Sequence, residues 1–364
     1  MAASQPQPAT SAAPTADGGP GAAAVPGPAA RAPAARSGLF RRAGRELWTH
    51  LPAWLAFIYA VSLQNAALTN LRPPRPDFVP TVLFPLAVFV AFYVARAAGL
   101  SDWRERWRVL FVPLGLAVGL PLLILFVHRP SPLHDANLRW VYEITAFAWA
   151  GLLLAHAASA RRNHAWLFFG PTFVYGLLLE NGGIGLGFFS ESKLRCAVPG
   201  LHAPLSTMVG WCTVMYMCTF VTWELRRRLP WLRRSAALSA LVLAMTGLLL
   251  DLQIDPLATA LGCWSWNPAL PPAFLGVPLL NFVAWVCALW PFGYVLFRLQ
   301  ERRGIEDGGR FARRDLLTLL AAAPLTLLVA AALFILVTLL LEGPQGPAWQ
   351  VLHRWTAATL GLLR

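Results

Sequence analysis

Long apolar runs dominate the pattern of the chain and are separated by short polar or proline- and glycine-rich segments. Each run is long enough for a helix to cross about 30 Å of hydrocarbon. Because the backbone must satisfy its own hydrogen bonds in lipid, these runs predict helices and not strands. We expect an all-α, polytopic integral membrane bundle of about nine transmembrane helices. The predicted spans are 47–70, 78–98, 108–128, 138–160, 165–180, 203–224, 235–253, 277–297 and 315–341.

The two ends of the chain depart from this pattern. Residues 1–37 are mostly Ala, Pro, Gly and Ser without periodicity, which predicts a disordered cytoplasmic tail. The transmembrane helical domain is expected to cover 38–343. Residues 344–364 begin with Pro and Gly and then carry spaced Trp and Leu residues, which indicates an interfacial C-terminal segment.

Composition and charge support a membrane protein. The 364 residues are 57% hydrophobic and 13% charged, whereas charged residues make up about a quarter of a soluble domain. A net charge of +13 is compatible with nucleic-acid binding, but most of the 30 Lys and Arg residues fall in alternate loops. This is the positive-inside bias. We therefore expect no nucleic-acid partner and a multi-pass protein of the inner cell membrane, with the N-terminus cytoplasmic and the C-terminus extracytoplasmic.

One motif occurs twice. It has an acidic residue, a glycine seven residues later, a Pro-Leu pair, and a tryptophan seven residues after the proline. The first copy consists of Glu180, Gly187, Pro204 and Trp211, and the second of Asp255, Gly262, Pro278 and Trp285. Both copies lie in hairpins of the same predicted orientation, in halves of about 165–224 and 235–297, so they predict a parallel internal repeat. A carboxyl group at matched places indicates a site built from two related halves.

Four acidic residues are candidates for catalysis. Glu143, Glu180 and Asp251 fall in the outer halves of predicted helices and Asp255 lies just beyond one, where ionisable residues are costly and mark functional sites. Asp251 and Asp255 share a face if the helix persists that far. A carboxyl group in apolar surroundings can stay protonated near neutrality, as a general acid requires.

Structural roles for these acids remain open. Asp255 could cap a short helix that begins at Pro256. Glu180 could lie at a helix end in the membrane interface, and Glu143 and Asp251 could form hydrogen bonds between packed helices.

Aromatic residues cluster in the same segments. Their ring faces could stabilise a carbocation, and the alternative is that they anchor the bundle at the membrane interface. The predicted substrate-binding residues are Trp211, Trp264, Trp266, Phe274, Asn281 and Trp285. The chain has no histidine box and no nucleotide-binding loop, and it carries a single DxxxD motif at 251–255. We therefore expect neither a metal nor a cofactor.

Two blocks of sequence resemble a known family. The run Asp-Leu-Gln-Ile-Asp-Pro at 251–256, Gly-Cys-Trp-Ser-Trp at 262–266 and Gly-Val-Pro-Leu-Leu-Asn at 276–281 is similar to the signature of the carotenoid biosynthesis membrane proteins, which include bisanhydrobacterioruberin hydratase. The first motif copy is similar to that family's other block. Family members often carry Tyr-x-Tyr where this chain has Ser-Glu-Ser-Lys at 190–193. The resemblance covers roughly residues 140–300.

The resemblance implies cofactor-free, acid-catalysed hydration of the terminal C1=C2 double bond of an acyclic carotenoid end, a hydratase reaction of the hydro-lyase type. The partners it implies are the lipid bilayer, an acyclic carotenoid substrate and other enzymes of the carotenoid pathway. The residues themselves leave open a different polyprenyl or carotenoid membrane enzyme, such as a cyclase or prenyltransferase, and a non-catalytic lipid carrier.

Overall fold

The computed structural model describes residues 41, 44, 45, 47–58, 135–160, 162–190, 196–260, 262–274 and 276–362. Their helices are α1 (Leu51–Ile58), α2 (Asp135–Ala160), α3 (Arg162–Phe169), α4 (Pro171–Gly185), α5 (Leu205–Arg228), α6 (Pro230–Arg233), α7 (Ala236–Ala260), α8 (Leu279–Arg303), α9 (Arg313–Glu342) and α10 (Pro347–Leu362). Two short antiparallel strand pairs lie between helices. They are β1 (Phe189–Ser190) with β2 (Ser265–Trp266), and β3 (Pro272–Phe274) with β4 (Val277–Pro278).

Four of the described helices, α5, α7, α8 and α9, are long and apolar enough to cross a membrane. They match the last four predicted spans, although α7 ends at Ala260 where the predicted span ends at 253 and α8 ends at Arg303 where the predicted span ends at 297. The helix α2 covers the span 138–160 with a shorter apolar stretch. The apolar helical class is therefore confirmed for this part of the chain. The predictions for 1–37, 78–98 and 108–128 lie outside the described residues, and the count of nine helices stays a prediction.

The predicted span 165–180 is divided into two helices. α3 ends at Phe169, and α4 begins at Pro171 after a break at Gly170. Proline has no N–H to donate, which disrupts a helix interior but costs nothing in the first turn of a new helix. α4 then continues to Gly185, so residues 181–185, which follow the end of the predicted span, are helical too.

Five helices form a closed ring. α4 packs against α5, α5 against α7, α7 against α8, α8 against α9, and α9 against α4. A Cβ atom at Gly247 of α7 would overlap the Leu289 side chain of α8. The glycine therefore lets these two helices approach closely, as small residues do in membrane bundles. At one end of the ring α4 and α7 end while α5 and α8 begin, which brings both motif copies together.

At the opposite end of the ring, a buried ion pair holds the connection between α8 and α9 against α5. Arg226 Nε donates to Asp307 Oδ1 at 2.8 Å, and Nη1 donates to Ser239 Oγ at 2.5 Å. The guanidinium also lies 4.9 Å from the centroid of the Phe297 ring. Both charged side chains are at most 4% exposed, so each depends on the other for compensation of its charge.

We predict that Arg226→Met destabilises the fold by about 3–5 kcal/mol, because it leaves the Asp307 carboxylate buried without its partner. Thermal unfolding in detergent measures the effect. Arg298→Met is the matched control, since Arg298 is 47% exposed and pairs with Glu301 on the surface. Equal melting temperatures for the two variants would contradict the prediction.

Candidate active site

Three carboxyl groups from α4 and α7 meet at the end of the ring where these helices terminate. Glu180, Asp251 and Asp255 are all buried. Asn281 Nδ2 of α8 donates to Asp251 Oδ2 at 2.9 Å and to Asp255 Oδ2 at 2.5 Å. The two aspartates are also close enough to interact with each other. Glu180 lies close enough to Asp255 for the two to interact through their charges.

Asp255 lies inside α7, so the alternative that it caps a short helix is wrong. The helix continues through Pro256 to Ala260. Proline there removes one backbone donor, but the helix persists long enough to place Asp251 and Asp255 one turn apart on the same face. This spacing is what lets a single amide group of Asn281 reach both carboxyl groups.

Each side of the site pairs an acid with a tryptophan from the next helix along the chain. Trp211 Nε1 of α5 donates to Glu180 Oε1, and the indole of Trp285 of α8 lies beside Asp255. The two indole rings stack, with centroids 4.6 Å apart and planes inclined by 24°. Trp211 therefore fixes Glu180 by a hydrogen bond, and the two indole groups place two aromatic faces between the hairpins.

The other motif residues have matching conformations in the two copies. Gly187 and Gly262 follow α4 and α7 with φ of 80° and 64°, a region that glycine adopts without a steric penalty. In each copy the glycine N–H donates to the carbonyl three residues back, and the next N–H donates five residues back. Pro204 and Pro278 precede α5 and α8 with ψ of 156° and 146°. The chain thus leaves and re-enters the ring by the same local geometry twice.

A cavity of about 390 Å³ occupies this end of the ring. Its wall is mostly aliphatic and aromatic, with the carboxyl groups of Glu180 and Asp255 among the few polar groups. The predicted residues that line it are Glu180, Trp211, Asp255, Trp264, Trp266, Asn281 and Trp285. Trp266 Nε1 donates to Thr259 Oγ1 at 3.0 Å, which orients its ring. The structure therefore brings seven of the ten predicted site residues to one apolar cavity.

Two other predicted residues, Asp251 and Phe274, do not belong to the cavity wall. Asp251 is fully buried, and its hydrogen-bond donor Asn281 lines the cavity. Phe274 lies on β3 and packs edge-on against Phe282, with ring centroids 6.1 Å apart. Asn281 lines the cavity, but its amide nitrogen is already engaged by the two aspartates.

Glu143 connects α2 to the start of α5. Its Oε1 accepts from Cys196 N and from Ser206 Oγ, both at 3.1 Å, and of these three residues only Ser206 lines the cavity. Partial burial, and then the Glu143 carboxylate, raise the pKa of the Cys196 thiol. Glu143 therefore positions the N-terminal turn of α5, and its effect on the cavity passes through Ser206.

Sequence reasoning missed the contribution of α9 and of the hydroxyl groups of α5. Residues 327–334 of α9 include five cavity-lining positions, and all are Leu, Ala or Phe. These residue types in an apolar helix do not indicate a functional site. Thr207 also lines the cavity. Its position four residues before Trp211 places it on the same helical face, so its spacing alone could have identified it.

The ring and its cavity define a class of protein, a polytopic membrane protein with an acidic site enclosed by apolar walls. The family model for carotenoid biosynthesis proteins matches residues 138–349. The chain therefore belongs to the carotenoid biosynthesis protein family, and the matched region contains both motif copies and the whole ring. No curated protein and no solved structure matches the chain.

We predict that Gly176→Ala disturbs the site from within α4. An added Cβ would lie 2.6 Å from the Trp211 Cβ atom, so α5 must shift and the indole must move from Glu180. The expected cost is about 1–3 kcal/mol, typical of overpacking, with a change in tryptophan fluorescence. Gly151→Ala in α2 is the control because its Cβ would meet nothing within 4 Å. The prediction fails if both variants melt at or above the wild-type temperature.

Proposed function

We propose that this protein hydrates the terminal C1=C2 double bond of an acyclic carotenoid end, without a cofactor. The observation that carries the proposal is the pair of buried acids, Glu180 and Asp255, which line one apolar cavity together with the stacked indoles of Trp211 and Trp285. Membership of the carotenoid biosynthesis family supports the substrate class, and the apolar wall suits a hydrocarbon ligand.

In the proposed first step Asp255 donates a proton to C2, the less substituted carbon of the double bond. Two adjacent carboxyl groups repel each other as anions, so one proton shared by Asp251 and Asp255 is the favoured state. Asn281 holds both groups in place. We assign Asp255 as the general acid because it lines the cavity, and Asp251 as the group that keeps it protonated.

Protonation at C2 leaves a tertiary carbocation at C1. The stacked faces of Trp211 and Trp285, together with Trp264 and Trp266, are the groups proposed to stabilise it, through attraction worth roughly 2 kcal/mol or more when desolvated. Water then attacks C1, and Glu180 accepts the proton that the water loses. The product is a tertiary alcohol, and the proton on Glu180 returns to Asp255 by exchange with solvent.

The remaining predicted residues have supporting roles in this proposal. Glu143 positions Ser206 at the cavity wall, and Phe274 packs the loop before α8 through Phe282. The matched capping and pairing geometry of the two motif copies supports a parallel internal repeat of two related halves. We propose that the two halves contribute one acid each because a hydration needs both a proton donor and a proton acceptor.

We also propose that the cavity opens at the extracytoplasmic side of the inner membrane. The last turns of α5 and α8, at the end of the ring remote from the cavity, carry Arg226, Arg227, Arg228, Arg302 and Arg303. Positive residues of short loops favour the cytoplasm. In this orientation the substrate arrives from the bilayer and water arrives from the outer interface. The cavity then lies within reach of other enzymes of the pathway.

We predict that Asp255→Asn lowers alcohol formation by at least roughly 100-fold, since a general acid contributes about that much or more. Glu180→Gln should cause a comparable loss because it removes the proton acceptor. Expression in a lycopene-producing bacterium with mass analysis of the pigments measures the product. Asp315→Asn is the matched control, because Asp315 is buried near the opposite end of α8 and an asparagine amide oxygen can still accept the hydrogen bond from Ala312 N. Full turnover by either site variant would refute its assigned role.

Removal of magnesium by a chelator distinguishes hydration from prenyl transfer. We predict that purified protein in detergent forms the alcohol at an undiminished rate in excess EDTA, and that the new oxygen comes from isotopically labelled water. A membrane prenyltransferase needs magnesium to bind diphosphate. Loss of the product in EDTA, with recovery on adding magnesium, would instead favour the transferase.

A further inference from the structure

In the part of the chain that the structure describes, the exposed positions of the cavity wall lie along one seam of the ring. Among the described residues, the cavity-lining positions that are also exposed are Leu178 and Gly182 of α4 and Leu328 and Ala331 of α9. Residues three or four apart lie on one helical face, so each pair forms the edge of its helix. Because α4 and α9 are neighbours in the ring, the four residues border a single opening between them.

The surface around this opening is apolar. Leu328 is 69% exposed, and Leu325 and Val329 on the same side of α9 are exposed as well. The four residues at the edge carry only hydrogen or hydrocarbon side chains. Such a surface in a membrane-spanning helix contacts lipid tails and not water. The opening therefore connects the acidic cavity with the interior of the bilayer.

The size of the cavity implies that a long substrate must extend through the opening. A volume of about 390 Å³ is near the lower limit of the roughly 300–1,000 Å³ that enclose drug-sized ligands. A forty-carbon polyene is larger than such a ligand. Its end group fits beside Glu180 and Asp255, and the rest of the chain has to leave the ring.

We propose that the seam between α4 and α9 is a lateral portal that holds the polyene chain while its end group occupies the acidic cavity. Gly182 and Ala331 set the width of the portal, because they are the two small residues at its edges. This inference rests on the proposed function and adds the path of the substrate. It also requires a slender acyclic chain, since the opening lies between two packed helices.

The test uses substitutions that narrow the portal and leave Glu180 and Asp255 unchanged. Gly182→Phe is suitable because a Cβ at Gly182 meets no atom within 4 Å, and Ala331→Phe narrows the other edge. The controls are Gly185→Phe, where a Cβ also meets nothing within 4 Å, and Ala332→Phe. Both control positions are exposed and neither lines the cavity.

Each variant is assayed on lycopene and on myrcene, a ten-carbon acyclic terpene with the same terminal double bond. We expect the two portal variants to lose at least roughly tenfold in turnover of lycopene and several-fold less in turnover of myrcene, which fits inside the cavity. The controls should match the wild type on both. Unchanged lycopene turnover in the portal variants, or equal loss of both substrates, would overturn the portal.

Pigment binding tests the portal independently of the proposed reaction. Protein purified from lycopene-producing cells should retain lycopene, measured by its visible absorbance, in the wild type and in Gly185→Phe but not in Gly182→Phe. If the wild type retains pigment by this pattern but forms no alcohol, the hydration is refuted and the portal stands. Equal retention by all variants would refute the portal whatever the chemistry.

Discussion

The burial of three carboxyl groups in an apolar ring is the constraint on which the rest of the structure depends. A lone charge in such surroundings is expensive, and buried acids persist only when they are protonated, hydrogen-bonded or paired. Asn281 and Trp211 supply hydrogen bonds to these acids, and each comes from the helix that follows an acid-bearing helix. The same contacts hold two of the acids, Glu180 and Asp255, at the cavity wall.

This requirement explains the local geometry of the motif. An acid near the end of one helix reaches an indole in the second turn of the next only if the connection turns back sharply. Gly187 and Gly262 allow that turn through positive φ, and Pro204 and Pro278 start the returning helix. Gly176 lets Trp211 approach Glu180. Each residue of the motif therefore serves the pairing of acid and indole.

Much of the site could be predicted because its signals are local. The seven-residue spacings identified both acids and both stacking tryptophans, and the apolar runs identified α5, α7, α8 and α9. The break at Gly170 could have been read from Pro171, which favours the first turn of a helix. The wall formed by α9 could not be predicted, because Leu and Ala residues in an apolar helix give the same sequence pattern whether they face a cavity or lipid. The second role of Asn281, as the link between Asp251 and Asp255, depends on packing between α7 and α8 and has no signature in either helix alone.

Intramolecular cross-linking of a cysteine-free protein tests most directly whether the acids of the two hairpins meet. With Glu180→Cys and Asp255→Cys combined, a short bifunctional thiol reagent should join the two positions within one chain. Asp255→Cys combined with Asp315→Cys should not react, because Asn281 and Arg303, their respective contacts on α8, are separated by roughly 33 Å along the helix. Efficient linkage of the first pair alone is the result we predict. Failure of that pair to link, or equal linkage of both pairs, would contradict a shared acidic cavity.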